Sequence, residues 1–216
     1  MVKAVIFDMD GLMIDSERVC YQVFYQYLQT EGVQLSMKDY GTCFAGKSMK
    51  NGLLSAMEHF HIEFDVNQAM KKCQFYENEL TMQGVNLKAG CIELITYLKE
   101  KNMRLAIATS SGLERVHRLL DRHNILSHFD TIVCGQDVQR GKPYPDIFLE
   151  ACHRLNVLPQ DALVLEDSEA GIQAAYRGHI PVICIVDLKY PRDEYVQMSV
   201  DVLDSLKDVI TYIKKG

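Results

Sequence analysis

Two carboxylates near the start of the chain carry its clearest chemical signal. Asp8 and Asp10 come directly after a short apolar run, residues 2–7, which only Lys3 interrupts. Residues at i and i+2 on the end of a strand point to the same side, so these carboxylates are expected to lie close together. Close carboxylates repel each other, and Mg²⁺ binds one or two of them together with phosphate oxygens and water. The spacing therefore indicates a Mg²⁺ site, with a polar turn after a strand as the alternative.

Three further groups of polar residues follow predicted strands or lie beside them. Thr109 and Ser110 follow one apolar run, Glu166 and Asp167 follow another, and Lys142 lies in a Gly-Lys-Pro sequence. Taken singly, these groups are typical of a helix cap, a loop and a surface lysine. The carboxyl ends of parallel strands converge on one ligand crevice, however. An acid that acts as nucleophile, a hydroxyl, a cation and further acids are what metal-assisted phosphoryl transfer requires.

Predicted strands and predicted helices alternate along the segments that must position these residues. Predicted strands lie at 2–7, 104–108, 131–134, 162–165, 180–185 and after residue 200. Predicted helices lie at 91–101, 113–123 and 145–155, and between the fourth and fifth strands up to about residue 177. Strands that alternate with helices indicate an α/β fold with a doubly wound parallel sheet.

Residues 16–83 interrupt this alternation. Their apolar positions repeat with a helical period, as at Leu53, Met57 and Phe60, and they contain no convincing strand. We therefore predict an inserted all-helical domain at 16–83. The remaining segments, 1–15 and 84–216, are predicted to form the α/β core domain.

Composition and charge restrict the class of protein. The chain has 216 residues and a net charge of −6 without a long Lys/Arg run, which argues against a nucleic-acid partner. Its seven cysteines are scattered and include no Cys-x-x-Cys, which is typical of a reduced intracellular protein. No signal-peptide pattern is present at the start, and no apolar run approaches the roughly 20 residues of a membrane span. We expect a cytoplasmic monomer without a membrane partner.

One segment of the predicted insertion imitates a nucleotide-binding motif. Residues 41–48 match G-x-x-x-x-G-K-[ST] letter for letter. That motif requires a buried strand before it and a helix after it. The residues before it, 36–40, are polar and helix-like, and Gly52 weakens the helix that should follow. The segment is better interpreted as a loop whose Gly46 and Lys47 are candidates for contacting a phosphate.

Four motifs together resemble the haloacid dehalogenase superfamily. They are Asp-x-Asp-Gly, a strand followed by Thr, Gly-Lys-Pro-x-Pro-Asp-Ile-Phe and Glu-Asp-Ser-x-x-Gly-Ile, in this order along the whole chain. Asp10 separates the chain from the dehalogenases proper, which lack a second acid. The helical insertion resembles the small cap of the branch that includes β-phosphoglucomutase and many small-metabolite phosphatases. The resemblance implies a Rossmann-like core with an inserted cap.

The resemblance also implies a role for each motif residue. Asp8 would be the nucleophile that forms an aspartyl-phosphate. Asp10 would protonate the leaving oxygen and then deprotonate the attacking water. The Thr109 hydroxyl and the Ser110 backbone N–H would bind the phosphoryl group. Lys142 would screen the Asp8 carboxylate, so that an anionic phosphate could approach it.

The implied cofactor is Mg²⁺. The Asp8 carboxylate, the Asp10 backbone carbonyl and Asp167 would bind it, and Glu166 would be either an additional ligand or a neighbour of the ligands. No arginine lies near these acids in the sequence, so we expect the metal to be their neutralising partner besides Lys142.

These expectations favour a Mg²⁺-dependent phosphatase of a small phosphomonoester, either a sugar phosphate or a nucleoside monophosphate. A β-phosphoglucomutase-type mutase is the alternative, and a non-catalytic binding protein is a third hypothesis. In the insertion, Lys47 and Lys50 are the basic residues near the loop that should face the substrate. Residues 76–79 are acidic where a mutase lysine would be expected, which favours hydrolysis.

Overall fold

A computed structural model describes residues 2–45, 47–82, 84–187 and 190–215. The described chain divides into two compact units. One, called the helical unit below, comprises Ser16–Val85. The other, called the α/β unit, comprises Met1–Asp15 and Asn86–Gly216.

The helical unit is built around aromatic side chains. Its helices are α1 (Ser16–Thr30), α2 (Met37–Cys43), α3 (Met49–Phe60) and α4 (Val66–Met82). The rings of Phe24 and Phe44 stack with centroids 3.9 Å apart, and Tyr27 meets Phe64 edge to face at 5.2 Å. Such pairs contribute roughly 0.5–1.5 kcal/mol beyond the area that they bury.

A helix, not a strand, leads into the segment that imitates the nucleotide-binding motif, and it includes residues 41–43, which the sequence interpretation placed in a loop. Ser36 caps α2, and its hydroxyl accepts a hydrogen bond of 3.1 Å from the Asp39 backbone N–H. The strand that the motif requires is therefore absent from this part of the described chain, as the sequence predicted. Gly46, one of the candidate phosphate contacts, lies outside the described residues.

The described residues of the α/β unit contain one sheet of six parallel strands. The strands are β1 (Ala4–Phe7), β2 (Arg104–Thr109), β3 (Thr131–Cys134), β4 (Ala162–Glu166), β5 (Val182–Ile185) and β6 (Asp201–Leu203), in the order β3-β2-β1-β4-β5-β6. The chain runs outward from β1 to β3 and then returns to the other side of β1 at β4. Such a switch point opens a ligand crevice at the carboxyl ends of the strands.

Helices cover both faces of this sheet. They are α5 (Cys91–Glu100), α6 (Leu113–Leu120), α7 (Asp146–Arg154), α8 (Glu169–Arg177), α9 (Asp193–Met198) and α10 (Leu206–Lys215). The prediction of a doubly wound parallel sheet is confirmed. The sequence pattern missed α9, and it extended α6 by three residues that form a 3₁₀ turn, Asp121–His123.

Burial on both faces explains why the strands are continuous apolar runs. Ile6 and Val164 belong to one cluster with Phe148 of α7. The alternate residues Phe7 and Leu165 are equally inaccessible to solvent. Because neighbouring residues of a strand point to opposite faces, both faces of the sheet are buried.

No helix in the described ranges is both long and apolar enough to cross a membrane.

Candidate active site

Asp8 lies at the carboxyl end of the central strand. Phe7 pairs with Ile107 of β2 and Leu165 of β4, so that β1 has a neighbour on each side. The Asp8 backbone N–H continues the ladder and donates to the Leu165 carbonyl at 3.1 Å. The register therefore fixes the Asp8 backbone, and its carboxylate is buried at the switch point of the sheet.

Lys142 bridges two buried carboxylates. Its ammonium contacts Asp8 Oδ1 and donates to Glu166 Oε1 at 2.6 Å. Burial raises the pKa of Asp8 to about 7, since the opposing effect of Lys142 does not fully offset desolvation and the nearby Glu166 charge. Burial alone would lower the pKa of Lys142, but Asp8 and Glu166 outweigh it and raise that pKa above its ordinary value. Lys142 is therefore a charged group in a site that solvent hardly reaches.

Both carboxylate oxygens of Glu166 have protein partners. Oε1 accepts from Lys142, and Oε2 accepts from the Ser168 backbone N–H at 2.7 Å and from its hydroxyl at 2.9 Å. The first turn of α8 passes so close that a Cβ on Gly171 would overlap Glu166 Oε1. Glycine is thus required at this position, and Glu166 is held as a partner of Lys142.

Asp167 differs from Glu166 in having an unused oxygen. Its Oδ1 is buried and has no hydrogen-bond partner among the residues that the structure describes. Desolvation raises the pKa of Asp167 well above its ordinary value, and the charges of Glu166 and Asp8 add to the effect. The backbone at Gly11, with φ of +82°, passes so close that a Cβ there would overlap Asp167 Oδ2.

The acids at this edge fit a divalent cation. Asp8, Glu166 and Asp167 each offer a carboxylate oxygen, and the three oxygens lie within 4.8 Å of one another. An unpartnered buried carboxylate oxygen is costly unless a cation or proton meets it. Hard oxygen ligands of this kind suit Mg²⁺.

Asp10 faces a different set of partners. Arg115 Nη2 donates to Asp10 Oδ1 at 2.8 Å, and the Ser111 hydroxyl donates to Asp10 Oδ2 at 2.9 Å. The expectation that no arginine neutralises the acids is therefore wrong for Asp10. Arg115 is far from Asp10 in sequence and reaches it because α6 begins directly after β2, the neighbour of β1.

Thr109 and Ser110 lie at the end of β2. Thr109 is buried, and its Oγ1 accepts a hydrogen bond of 3.1 Å from the Ser111 backbone N–H. Ser110 is exposed. Both residues lie at the end of β2, the strand beside the one that Asp8 follows. This position is compatible with phosphoryl binding, and that role stays a prediction.

Lys47 lies in the helical unit and has two acceptors there. Its ammonium donates to the Thr42 carbonyl at 2.9 Å and to the Ser55 hydroxyl at 2.9 Å. Both acceptors are neutral, so the lysine charge is not cancelled by them. Its role in substrate binding also stays a prediction.

The structure therefore brings together Asp8, Lys142, Glu166 and Asp167 in one buried cluster, which we call the carboxylate cluster. Asp10 lies in the loop that follows β1, as Asp8 does, but it pairs with Arg115. Sequence reasoning missed Arg115, and its only signal was a basic residue in the first turn of the helix that follows a motif strand.

Comparisons with known proteins identify the family of the chain. Residues 5–185 match the haloacid dehalogenase-like hydrolase family. The phosphorylated carbohydrates phosphatase of Thermotoga maritima is 30% identical over 174 residues, which cover 81% of this chain and 80% of that protein. A Drosophila melanogaster protein provisionally named as a pseudouridine-5'-phosphatase is 31% identical over 217 residues, covering 94% of this chain and 89% of that protein.

A solved structure matches the fold over nearly its whole length. The crystal structure of a Thermotoga maritima protein provisionally named as a β-phosphoglucomutase has a TM-score of 0.83 and 27% identity. The match covers 99% of each chain.

Proposed function

Because this chain belongs to the haloacid dehalogenase-like hydrolase family, we propose that it is a Mg²⁺-dependent phosphatase that hydrolyses a small phosphomonoester through an aspartyl-phosphate. The observation that carries the proposal is the carboxylate cluster. In it, buried Asp8 is paired with Lys142, and the nearby Asp167 has a carboxylate oxygen without a hydrogen-bond partner among the described residues. The relatives that are named as phosphatases support the same reaction class.

The first proposed step transfers the phosphoryl group to Asp8. An Asp8 oxygen attacks phosphorus, and the bond from phosphorus to the leaving oxygen breaks. Asp10 gives a proton to that oxygen, so that the substrate leaves as an alcohol. Lys142 offsets the negative charge that the phosphate and the carboxylate bring together, and the Thr109 hydroxyl and Ser110 backbone N–H bind the phosphoryl oxygens.

The second proposed step releases phosphate. Asp10, now ionised, accepts a proton from a water molecule as the water oxygen attacks phosphorus. The bond between phosphorus and the Asp8 oxygen breaks, which restores the carboxylate and frees inorganic phosphate. The proton that Asp10 gave to the leaving oxygen is thereby replaced by one from water.

We propose that Asp8, Asp167 and the Asp10 backbone carbonyl bind the Mg²⁺ ion. When bound, the ion supplies positive charge that reduces the repulsion between Asp8 and an anionic phosphate. Glu166 has protein partners on both oxygens, which favours a place outside the ligand set, beside Lys142.

The proposed substrate is a sugar phosphate or a nucleoside monophosphate. One relative is named for phosphorylated carbohydrates and another for pseudouridine 5'-phosphate. We further propose that the inserted domain, 16–83, selects the substrate and that Lys47 contributes to its binding. A cytoplasmic monomer remains the prediction for the whole protein.

A sugar-phosphate mutase is the second candidate, because the solved structure described above carries that provisional name. A mutase must retain a bisphosphate intermediate, which requires strong cationic groups at both phosphates. In the helical unit the Lys47 ammonium already has two neutral acceptors, and a lysine grips a phosphate less specifically than an arginine. This arrangement favours hydrolysis.

The test is a panel of phosphomonoesters assayed for released phosphate, with Mg²⁺ and with excess chelator. We expect Mg²⁺-dependent release from at least one sugar phosphate or nucleoside monophosphate. β-Glucose 1-phosphate with its bisphosphate primer is assayed in parallel for glucose 6-phosphate. Primer-dependent isomerisation without phosphate loss would establish the mutase, and no turnover of any compound would favour a binding protein.

A further inference from the structure

Both carboxylate oxygens of Asp10 are bound by side chains that follow β2. Arg115 Nη2 donates to Oδ1 at 2.8 Å, and the Ser111 hydroxyl donates to Oδ2 at 2.9 Å. Arg115 Nε also donates to the Ser111 hydroxyl at 3.2 Å. The three side chains thus form a closed triangle of hydrogen bonds, and the Arg115 side chain is only 21% exposed.

We infer that Arg115 and Ser111 are positioning residues for Asp10. The inference rests on the proposed function, in which Asp10 delivers a proton to the leaving oxygen and later accepts one from water. A general acid works only when its carboxyl oxygen is within hydrogen-bond reach of the atom that it protonates. Two bonds to different partners fix the plane of the carboxylate, which one bond could not do.

The shape of the arginine side chain suits this task. Its planar guanidinium presents several N–H groups in a fixed fork, and two nitrogens here bind two different side chains. A lysine has a single nitrogen on a flexible stem. Arg115→Lys is therefore expected to keep the charge beside Asp10 but to lose the fixed orientation, whereas Arg115→Met loses both.

The test compares two substrates that differ in their need for a proton donor. The value of kcat/KM covers the reaction up to loss of the leaving group. The first substrate is the alkyl phosphate that reacts best in the panel above; its leaving group is an alcohol, whose oxygen needs a proton. The second is p-nitrophenyl phosphate, whose leaving group is a stable phenolate that needs none.

We expect a selective loss with the alkyl phosphate. Arg115→Met should lower its kcat/KM on the order of 10- to 100-fold, a part of what general acid catalysis contributes, and should change the value for p-nitrophenyl phosphate less than about threefold. Ser111→Ala should shift the ratio of the two values in the same direction by a smaller factor. Arg115→Lys should lie between Arg115→Met and the parent.

Two further variants complete the design. Arg154→Met removes another partly buried arginine of the α/β unit, which binds Glu150 on α7, and should leave the ratio of the two substrates unchanged. Asp10→Asn is measured in the same assay, because it shows the largest selectivity that loss of the acid can produce.

The outcomes separate the inference from the proposed function. Equal losses with both substrates in Arg115→Met and Ser111→Ala, beside a selective loss in Asp10→Asn, would overturn the inference alone. An Asp10→Asn variant without selectivity would overturn the proposed role of Asp10, and the inference with it. If Arg115→Met does not fold, Ser111→Ala decides, since it removes a single hydroxyl.

Discussion

The α/β unit and the helical unit use their polar side chains in different ways. In the α/β unit, the side chains of Lys142 and Glu166 are 7% and 0% exposed, and each bonds to others of its cluster. In the helical unit, His59 Nε2 and Asp39 Oδ1 lie 3.0 Å apart, and the two side chains are 39% and 26% exposed. The core of the helical unit is aromatic and aliphatic instead.

This difference indicates where sequence change is tolerated. Charges that share a buried cluster depend on one another, and a charge that loses its last partner is left unpaired, at a cost of roughly 3–5 kcal/mol. Exposed charges contribute about 1 kcal/mol or less and can be replaced singly. We therefore expect the chemistry to belong to the α/β unit and substrate choice to vary through the helical unit.

The largest expected effect is at Asp8. Asp8→Asn keeps the shape of the side chain but removes the nucleophile, so phosphate release should fall on the order of 10⁴-fold or more while the protein stays folded. Phosphate release and circular dichroism measure the two properties. Asp161→Asn is the matched control, because Asp161 lies at the other end of β4 and binds Lys3. Turnover that survives in Asp8→Asn would disprove the assignment.

Two helix glycines, one in each unit, test whether the two units differ in their tolerance to substitution. A Cβ on Gly171 would overlap Glu166, so Gly171→Ala should lower the free energy of unfolding by about 2–4 kcal/mol and should also reduce phosphate release. At Gly41 of α2 such a Cβ would meet no atom within 4 Å among the described residues beyond its own helix backbone and chain neighbours, so Gly41→Ala should stabilise by up to about 1 kcal/mol. Urea unfolding measures both. Shifts of the same sign would contradict the comparison.

The pH dependence of Mg²⁺ binding is a smaller effect that concerns the carboxylate cluster alone. The pKa of Asp8 is raised to about 7 by burial, and that of Asp167 is also raised. Below pH 7 the metal-free protein therefore holds a proton on Asp8, which Mg²⁺ must displace. Affinity should fall about tenfold per pH unit as the pH drops below 7, and more steeply where a proton on Asp167 is displaced as well.

Calorimetry checks this prediction in two ways. The dissociation constant is measured from pH 5.5 to 8, and the proton release is measured in buffers of different ionisation enthalpy. A dissociation constant that stays the same across that range, with no proton release, would show that the acids are already ionised without the metal.

The smallest expected effect is at Lys47 in the helical unit. Lys47→Ala should raise KM roughly three- to tenfold and change kcat less, as loss of uniform substrate binding does. Ser55→Ala removes one acceptor of the Lys47 ammonium and leaves the charge, so KM should stay near that of the parent. Steady-state kinetics on the best substrate decides, and equal values for Lys47→Ala and the parent would exclude a substrate contact.

The sequence predicted the sheet well because its signals are local. Continuous apolar runs require burial on both faces, and β3 begins and ends where the pattern placed it. Helix α9 has six residues, too few for a clear helical period. The carboxyl-end rule also predicted which motifs would meet, since Asp8 follows β1 and Glu166 is the last residue of the neighbouring strand β4.

Contacts between distant side chains were less accessible to sequence reasoning. The pairing of Asp10 with Arg115 depends on the direction in which α6 leaves β2, which no local pattern encodes. The sequence does not distinguish a metal ligand from a neighbour of the ligands at Glu166, and its bonds to Ser168 and Lys142 favour the neighbour. Burial of Asp167 Oδ1 without a partner among the described residues likewise depends on the packed structure.

The central place of β1 has a consequence for the order in which the chain assembles during synthesis. Ala4 pairs with Arg104 and with Ala162, so β1 is synthesised well before either of the two strands that pair with it. Residues 16–85 contain their own core and can fold in the interval. The sheet around β1, which Asp8 follows, is therefore complete only when β4 has emerged, and a nascent chain shorter than that has no assembled reaction centre even where its helical unit has folded.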